Sequence, residues 1–175
     1  HVGKAYAKAS RVTLTRYNST RLVEKDIWTT DELRAEINGQ DICWINIDGL
    51  QDTKLLEEIG GLFGLHPLIL EDILNTEQRP RAEDFGDYIF IVLKNIRTFA
   101  VREIQADQIS IILGKNFVCS FQEKESALFD SIRDRLRADK GRIRKAGADY
   151  LAHHLMDAIV DQYFVVLEDM EEKIE

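Results

Sequence analysis

Ile42-Cys-Trp-Ile-Asn-Ile-Asp48 is apolar or β-branched at nearly every position up to Ile47. A strand with one wet face alternates apolar and polar side chains, so an almost unbroken run belongs to an interior strand covered on both faces. Such a strand needs helices above and below it, which confines the chain to a layered α/β arrangement. The neighbouring sequence supplies them. Thr29-Thr-Asp-Glu32 fits a capping box ahead of a short helix over 30–38, closed by Gly39. Asp52 is placed to cap a second helix, whose apolar residues Leu55, Leu56, Ile59, Leu62 and Phe63 recur with helical spacing. A third begins near Pro67, a favoured first-turn residue, and runs Leu68-Ile-Leu-Glu-Asp-Ile-Leu74.

Further strands are read at Arg11–Tyr17, where Val12, Leu14 and Arg16 alternate with threonines, and at Arg21–Glu24. Asp87–Lys94 reads as the most buried strand of the chain. Gln108–Leu113 and Asn116–Gln122 flank Gly114-Lys115 and pair as an antiparallel hairpin. An amphipathic helix over 127–137 and a basic stretch with glycines at 141 and 147 follow. From Ala148 the chain has neither Gly nor Pro, and Met156, Ile159, Tyr163, Val166 and Met170 step by three and four. The expected fold class is α/β: a mixed β-sheet between helical layers, an α/β/α sandwich. Residues 1–147 form the domain, and 148–175 begin a helix about 40 Å long at 1.5 Å per residue. The absence of a stop signal predicts that the natural protein continues beyond Glu175.

Charge narrows the function. The net charge of −8 argues against a reader of duplex nucleic acid. It is unevenly spread: residues 1–25 carry six Lys/Arg against one Glu, whereas residues 149–175 carry one Lys against eight Asp/Glu. The basic arm reads as a solvated edge. No apolar run approaches the roughly 20 residues of a membrane helix, and His1-Val2-Gly3-Lys4-Ala5 does not begin a secretory signal. Cys43 and Cys119 lie in apolar strand-like runs, as buried thiols in a reducing compartment do.

Phosphate loops, nucleophile turns, His-Glu-x-x-His and Cys-x-x-Cys are all missing, so no catalytic residue is expected. His66 reads as a loop or cap residue, and the adjacent His153 and His154 point in different directions on a helix. Carboxylates remain. Glu71 and Asp72 interrupt a core-like helix, and Asp157 and Asp161 sit one turn apart, where like charges repel unless a cation or arginine intervenes. Mg²⁺ takes oxygen ligands and retains several waters, so one or two carboxylates suffice for a hydrated site. Spacing alone leaves a solvated acidic face as the competing reading.

Trp44-Ile-Asn-Ile-Asp-Gly-Leu50, and above all Phe63-Gly-Leu-His-Pro-Leu-Ile-Leu-Glu-Asp-Ile-Leu-Asn75 followed by Gln78-Arg-Pro-Arg81, resemble the cytoplasmic domain of the CorA family of magnesium and cobalt transport proteins. The likeness runs through Tyr88–Lys94, the Ile109–Phe121 hairpin and Ala148–Asp161. It implies a homopentameric, channel-like transporter, held in the cell membrane by helices beyond this sequence, with this domain on the cytoplasmic face. It further implies regulatory Mg²⁺, with Co²⁺ as a substitute, bound between subunits by Glu71, Asp72 and Asp157 and favouring the closed pore. Removing a 2+ ion leaves like charges facing each other, which loosens such an interface. A zinc or other divalent-metal exporter of the same superfamily, a soluble Mg²⁺-dependent α/β enzyme and a structural oligomerisation module are the alternatives.

Overall fold

The computed structural model describes residues 10–99 and 103–174; the segment His1–Ala5, which does not begin a secretory signal, and Glu175 lie outside them. In chain order the elements are β1 (Arg11–Tyr17), β2 (Leu22–Ile27), α1 (Thr30–Glu36), β3 (Ile42–Asp48), α2 (Thr53–Leu62), α3 (Pro67–Leu74), β4 (Arg81–Asp84), β5 (Ile89–Phe99), β6 (Glu103–Leu113), β7 (Phe117–Gln122), α4 (Asp130–Arg137) and α5 (Ala148–Ile174). One sheet has the order β2-β1-β3-β7-β6-β5-β4. Among the described residues its only parallel pair is β3 with β7, Ile45 opposite Cys119, and the other neighbours are antiparallel. The sheet is mixed, as expected.

Two apolar cores lie on opposite faces of this sheet. On one, Leu33 of α1, Leu56 and Ile59 of α2, and Ile69 and Ile73 of α3 pack on Val12, Leu14, Ile45, Ile47, Phe90 and Phe121. On the other, Ile132 and Leu136 of α4, and Leu151, Leu155 and Ile159 of α5, pack on Trp44, Ile91, Ile109, Ile111 and Val118. The molecule is therefore the α/β/α sandwich read from the run at Ile42. That run is buried over its five central residues. Its one amide, Asn46, is 2% exposed and is satisfied: Ser120 Oγ donates to Asn46 Oδ1 at 2.7 Å and takes the Trp44 indole N–H at 2.9 Å. Unpaired, those groups would each cost roughly 1–3 kcal/mol. Both cysteines are free and buried, as expected.

The structure departs from the sequence reading at several points. Asp87–Lys94 is not the most buried strand, since Ile89 is exposed while β7 is buried over five consecutive residues. The cause is position: β5 borders the edge strand β4, whereas β7 lies between β3 and β6. β4 itself was not read, and β5 and β6 extend as a paired ribbon to Phe99 and Glu103. Gly114 serves the hairpin by steric room, because a Cβ there would lie 2.1 Å from the Phe117 ring. At α1 the Thr29 hydroxyl accepts from Glu32 N–H at 3.2 Å, but the Glu32 carboxylate reaches Trp28 N–H, one residue beyond the capping-box partner at Thr29. Arg16 of the basic arm is tied into the fold by ion pairs to Asp41 at 2.9 Å and Glu36 at 3.0 Å.

Candidate functional site

α3 is a short helix whose ends are fixed by side chains. His66 Nδ1 accepts the Leu68 N–H at 3.1 Å, and Pro67 occupies the first turn, where a missing N–H costs nothing. Ile69 and Ile73, four residues apart and fully buried, hold the helix on the sheet. Glu71 therefore faces solvent and Asp72 lies half-exposed beside the buried face. Asp72 is engaged by Arg81 Nη2 at 2.8 Å, with both side chains more than a third exposed. Such a pair contributes roughly 0–1 kcal/mol and yields readily to a competing cation.

The last turn of α3 is gripped through its backbone. Gln78 Nε2 donates to the Asp72 and Asn75 carbonyls. Gln108, 1% exposed on β6, donates to the Ile73 carbonyl at 3.3 Å. Lys94 Nζ on β5 donates to the Thr76 carbonyl at 2.6 Å, placing a cation at the negative end of the helix dipole. Sequence reasoning assigned none of these residues a role, although Gln78 stands in the Gln78-Arg-Pro-Arg81 block and Lys94 closes the run from Tyr88.

Asp157 lies on the solvent face of α5, its Oδ2 3.4 Å from His153 Nε2, with both side chains more than half exposed. Asp161 follows on the same side and lines a cavity of about 450 Å³ together with Asn95, Arg97, Ser131 and Gln162. Arg97, on the rim of the same cavity, is paired with Asp107 of β6. His154 packs edge-on against Tyr150 with ring centroids 4.6 Å apart, and burial, with help from Arg135, lowers its pKa below the usual imidazole value.

The sheet separates the two groups of carboxylates. Glu71 and Asp72 stand on the α1–α3 side and Asp157 on the α4–α5 side. Among the described residues no three His, Cys, Asp or Glu side chains come together as a metal site. The donors nevertheless have the right chemistry: the carboxylates of Glu71 and Asp157 are hard oxygen donors open to water, of the kind a hydrated Mg²⁺ takes. The structure brings neither into contact with the other.

A family model described as CorA-like Mg²⁺ transporter protein matches residues 39–175, which include β3, all of α3 and the whole described span of α5. The chain belongs to the CorA-like family. A relative from Thermotoga maritima, a cobalt/magnesium transport protein CorA, is 49% identical over 133 residues, covering 75% of this chain and 38% of that protein. This CorA-like chain thus spans well under half the length of that relative. Among solved structures, the CorA magnesium transporter of Methanocaldococcus jannaschii superposes with a TM-score of 0.66 at 16% identity, over 95% of this chain and 49% of that one. The ZntB cytoplasmic domain of Vibrio parahaemolyticus does so with 0.66 at 15%, over 91% and 62%. At such identities these two likenesses concern the fold. No helix among the described residues is long and apolar enough to cross a membrane.

Proposed function

We propose that this chain is the divalent-cation-sensing regulatory domain of a CorA-type Mg²⁺ (Co²⁺) transporter, on the cytoplasmic face of the cell membrane. Residues 1–147 are the domain and 148–175 begin its stalk, with membrane helices supplied by sequence beyond this chain. One observation carries the reading: the candidate ligands Glu71, Asp72 and Asp157 all reach the surface, yet on opposite faces of the sheet. Two such groups share an ion when a second copy brings its α5 side against the α3 side of the first, the heterologous contact from which a closed ring such as a homopentamer is built. A bridging Mg²⁺ neutralises the carboxylates and favours the closed pore; without it they repel.

The test is the double substitution Glu71→Ala and Asp157→Ala in the full-length protein. It should abolish the protection against proteolysis that Mg²⁺ gives, and undiminished protection would refute the ligand assignment. A zinc exporter of the same superfamily is separated by comparing Zn²⁺ and Mg²⁺ flux in vesicles carrying the complete protein. The fold likeness to ZntB does not favour it, because the same fold serves CorA from M. jannaschii.

A further inference from the structure

We propose that Gln108 and Lys94 are positioning residues for the Glu71–Asp72 turn and that Tyr163 ties this turn through the sheet to α5. The inference rests on the metal-sensing reading above and says how a change at α3 reaches the helix on the opposite face.

Lys94 and Gln108 are direct partners across β5 and β6. On the α3 side their side chains act together: Gln108 Nε2 holds the Ile73 carbonyl, and Lys94 Nζ holds the Thr76 carbonyl at 2.6 Å and lies 3.4 Å from Gln108 Oε1. The carbonyls at a helix end have no partner within the helix, so whatever binds them sets where that turn sits. Glu71, Asp72 and Ile73 all belong to this turn. Displacing the turn therefore moves the carboxylates and strains the Lys94 contact.

Across the sheet, the Tyr163 hydroxyl of α5 donates to the Lys94 carbonyl at 2.6 Å. That reach is possible because β4 pairs with β5 only from Ile89 to Val92, leaving the strand beyond Val92 without a β4 neighbour. One residue thus presents its side chain to α3 and its carbonyl to α5. Tyr163 also sits where α5 changes character: Ile159 before it is fully buried, while Phe164, Val165 and Leu167 after it are all more than half exposed. The tether falls one turn after Ile159, ahead of a stretch in which Val166 is the one buried apolar side chain among the described residues, so a shift there is carried into the rest of the helix.

Tyr163→Phe keeps the ring and deletes the donor. In full-length protein in vesicles, we expect the Mg²⁺ concentration that half-protects against proteolysis to stay at the wild-type value. The concentration that half-inhibits Mg²⁺ uptake should rise about five-fold, the size of effect one neutral hydrogen bond supplies. Gln108→Leu, which releases the turn itself, should raise both concentrations. Unchanged inhibition in Tyr163→Phe, or equal shifts in both of its readouts, would overturn the tether, the latter because a general loosening moves both. Protection that survives Glu71→Ala with Asp157→Ala would overturn the ligand assignment, and this inference with it. A lost protection in that double variant beside a wild-type Tyr163→Phe leaves the ligands standing and removes the tether alone.

Discussion

α3 and α5 both carry candidate carboxylates, and they are built in opposite ways. α3 has eight residues, a side-chain cap at its start and polar side chains holding its last turn, so little of it is free to move independently of the sheet. α5 has 27 residues and is anchored mainly over its first half by Leu151, Leu155 and Ile159. Beyond Tyr163, Val166 is the one buried side chain among the described residues, while Phe164, Val165, Leu167, Met170 and Ile174 are exposed. One helix offers its acids from a fixed platform, and the other from the base of an arm with an uncovered apolar flank. The contrast shows that a continuous apolar stripe in sequence does not imply continuous burial: on α5 the stripe runs the length of the helix, yet its late members Met170 and Ile174 are exposed.

The sharpest way to break the contrast is to truncate equivalent leucines in the two halves of α5. Leu155→Ala empties a fully buried site and should lower the unfolding free energy of the domain by about 3 kcal/mol. Leu167→Ala, at a residue 59% exposed, should change it by less than about 0.5 kcal/mol. Urea denaturation of the domain reads both. A comparable loss in Leu167→Ala would mean that the arm is packed within one chain and would erase the distinction. On the α3 side, His66→Ala removes the cap and should cost about 1 kcal/mol. If α3 is held by its ends as described, that loss should appear as faster amide exchange at Leu68 and Ile69, with α5 unaffected.

Much of this was legible in sequence because it is local. Strand β3 announced itself by composition, α3 by Pro67 and its apolar spacing, and the β6–β7 hairpin by glycine between two strand-like runs. β4 was not legible: Arg81-Ala-Glu-Asp84 has no apolar pattern and is exposed at every residue, so it is a strand only because the edge of β5 offers partners. The ribbon of β5 and β6 beyond the core escaped notice for the same reason. As for the site, Glu71, Asp72 and Asp157 were picked out as carboxylates on helices, with roles that came from resemblance. Their placement on opposite faces depends on which side of the sheet each crossover passes, and no local pattern records that. The grip of Lys94 and Gln108 on α3 joins residues distant in sequence, and Tyr163 looked like one more apolar position in a stripe.

The smallest expected effect is a pH dependence that belongs to α5. His154 lies partly buried between Tyr150 and the α4–α5 packing, and burial first, then the nearby charges of Arg135 and His153, lower its folded-state pKa below 6.5; Asp157 opposes them. The unfolded chain then binds a proton at a pH where the folded chain does not. Stability from this group is complete above the unfolded value of about 6.5, declines as pH falls toward the folded value, and is fully lost below it. The urea midpoint should therefore be lower at about pH 5 than at about pH 7.5, and His154→Gln should flatten that slope. If the slope survives His154→Gln, the titrating group lies elsewhere and the packed base of α5 is less sensitive to protonation than its geometry indicates. If it disappears, the first half of α5 carries a proton-sensitive contact, and its packing acquires a second, independent measure.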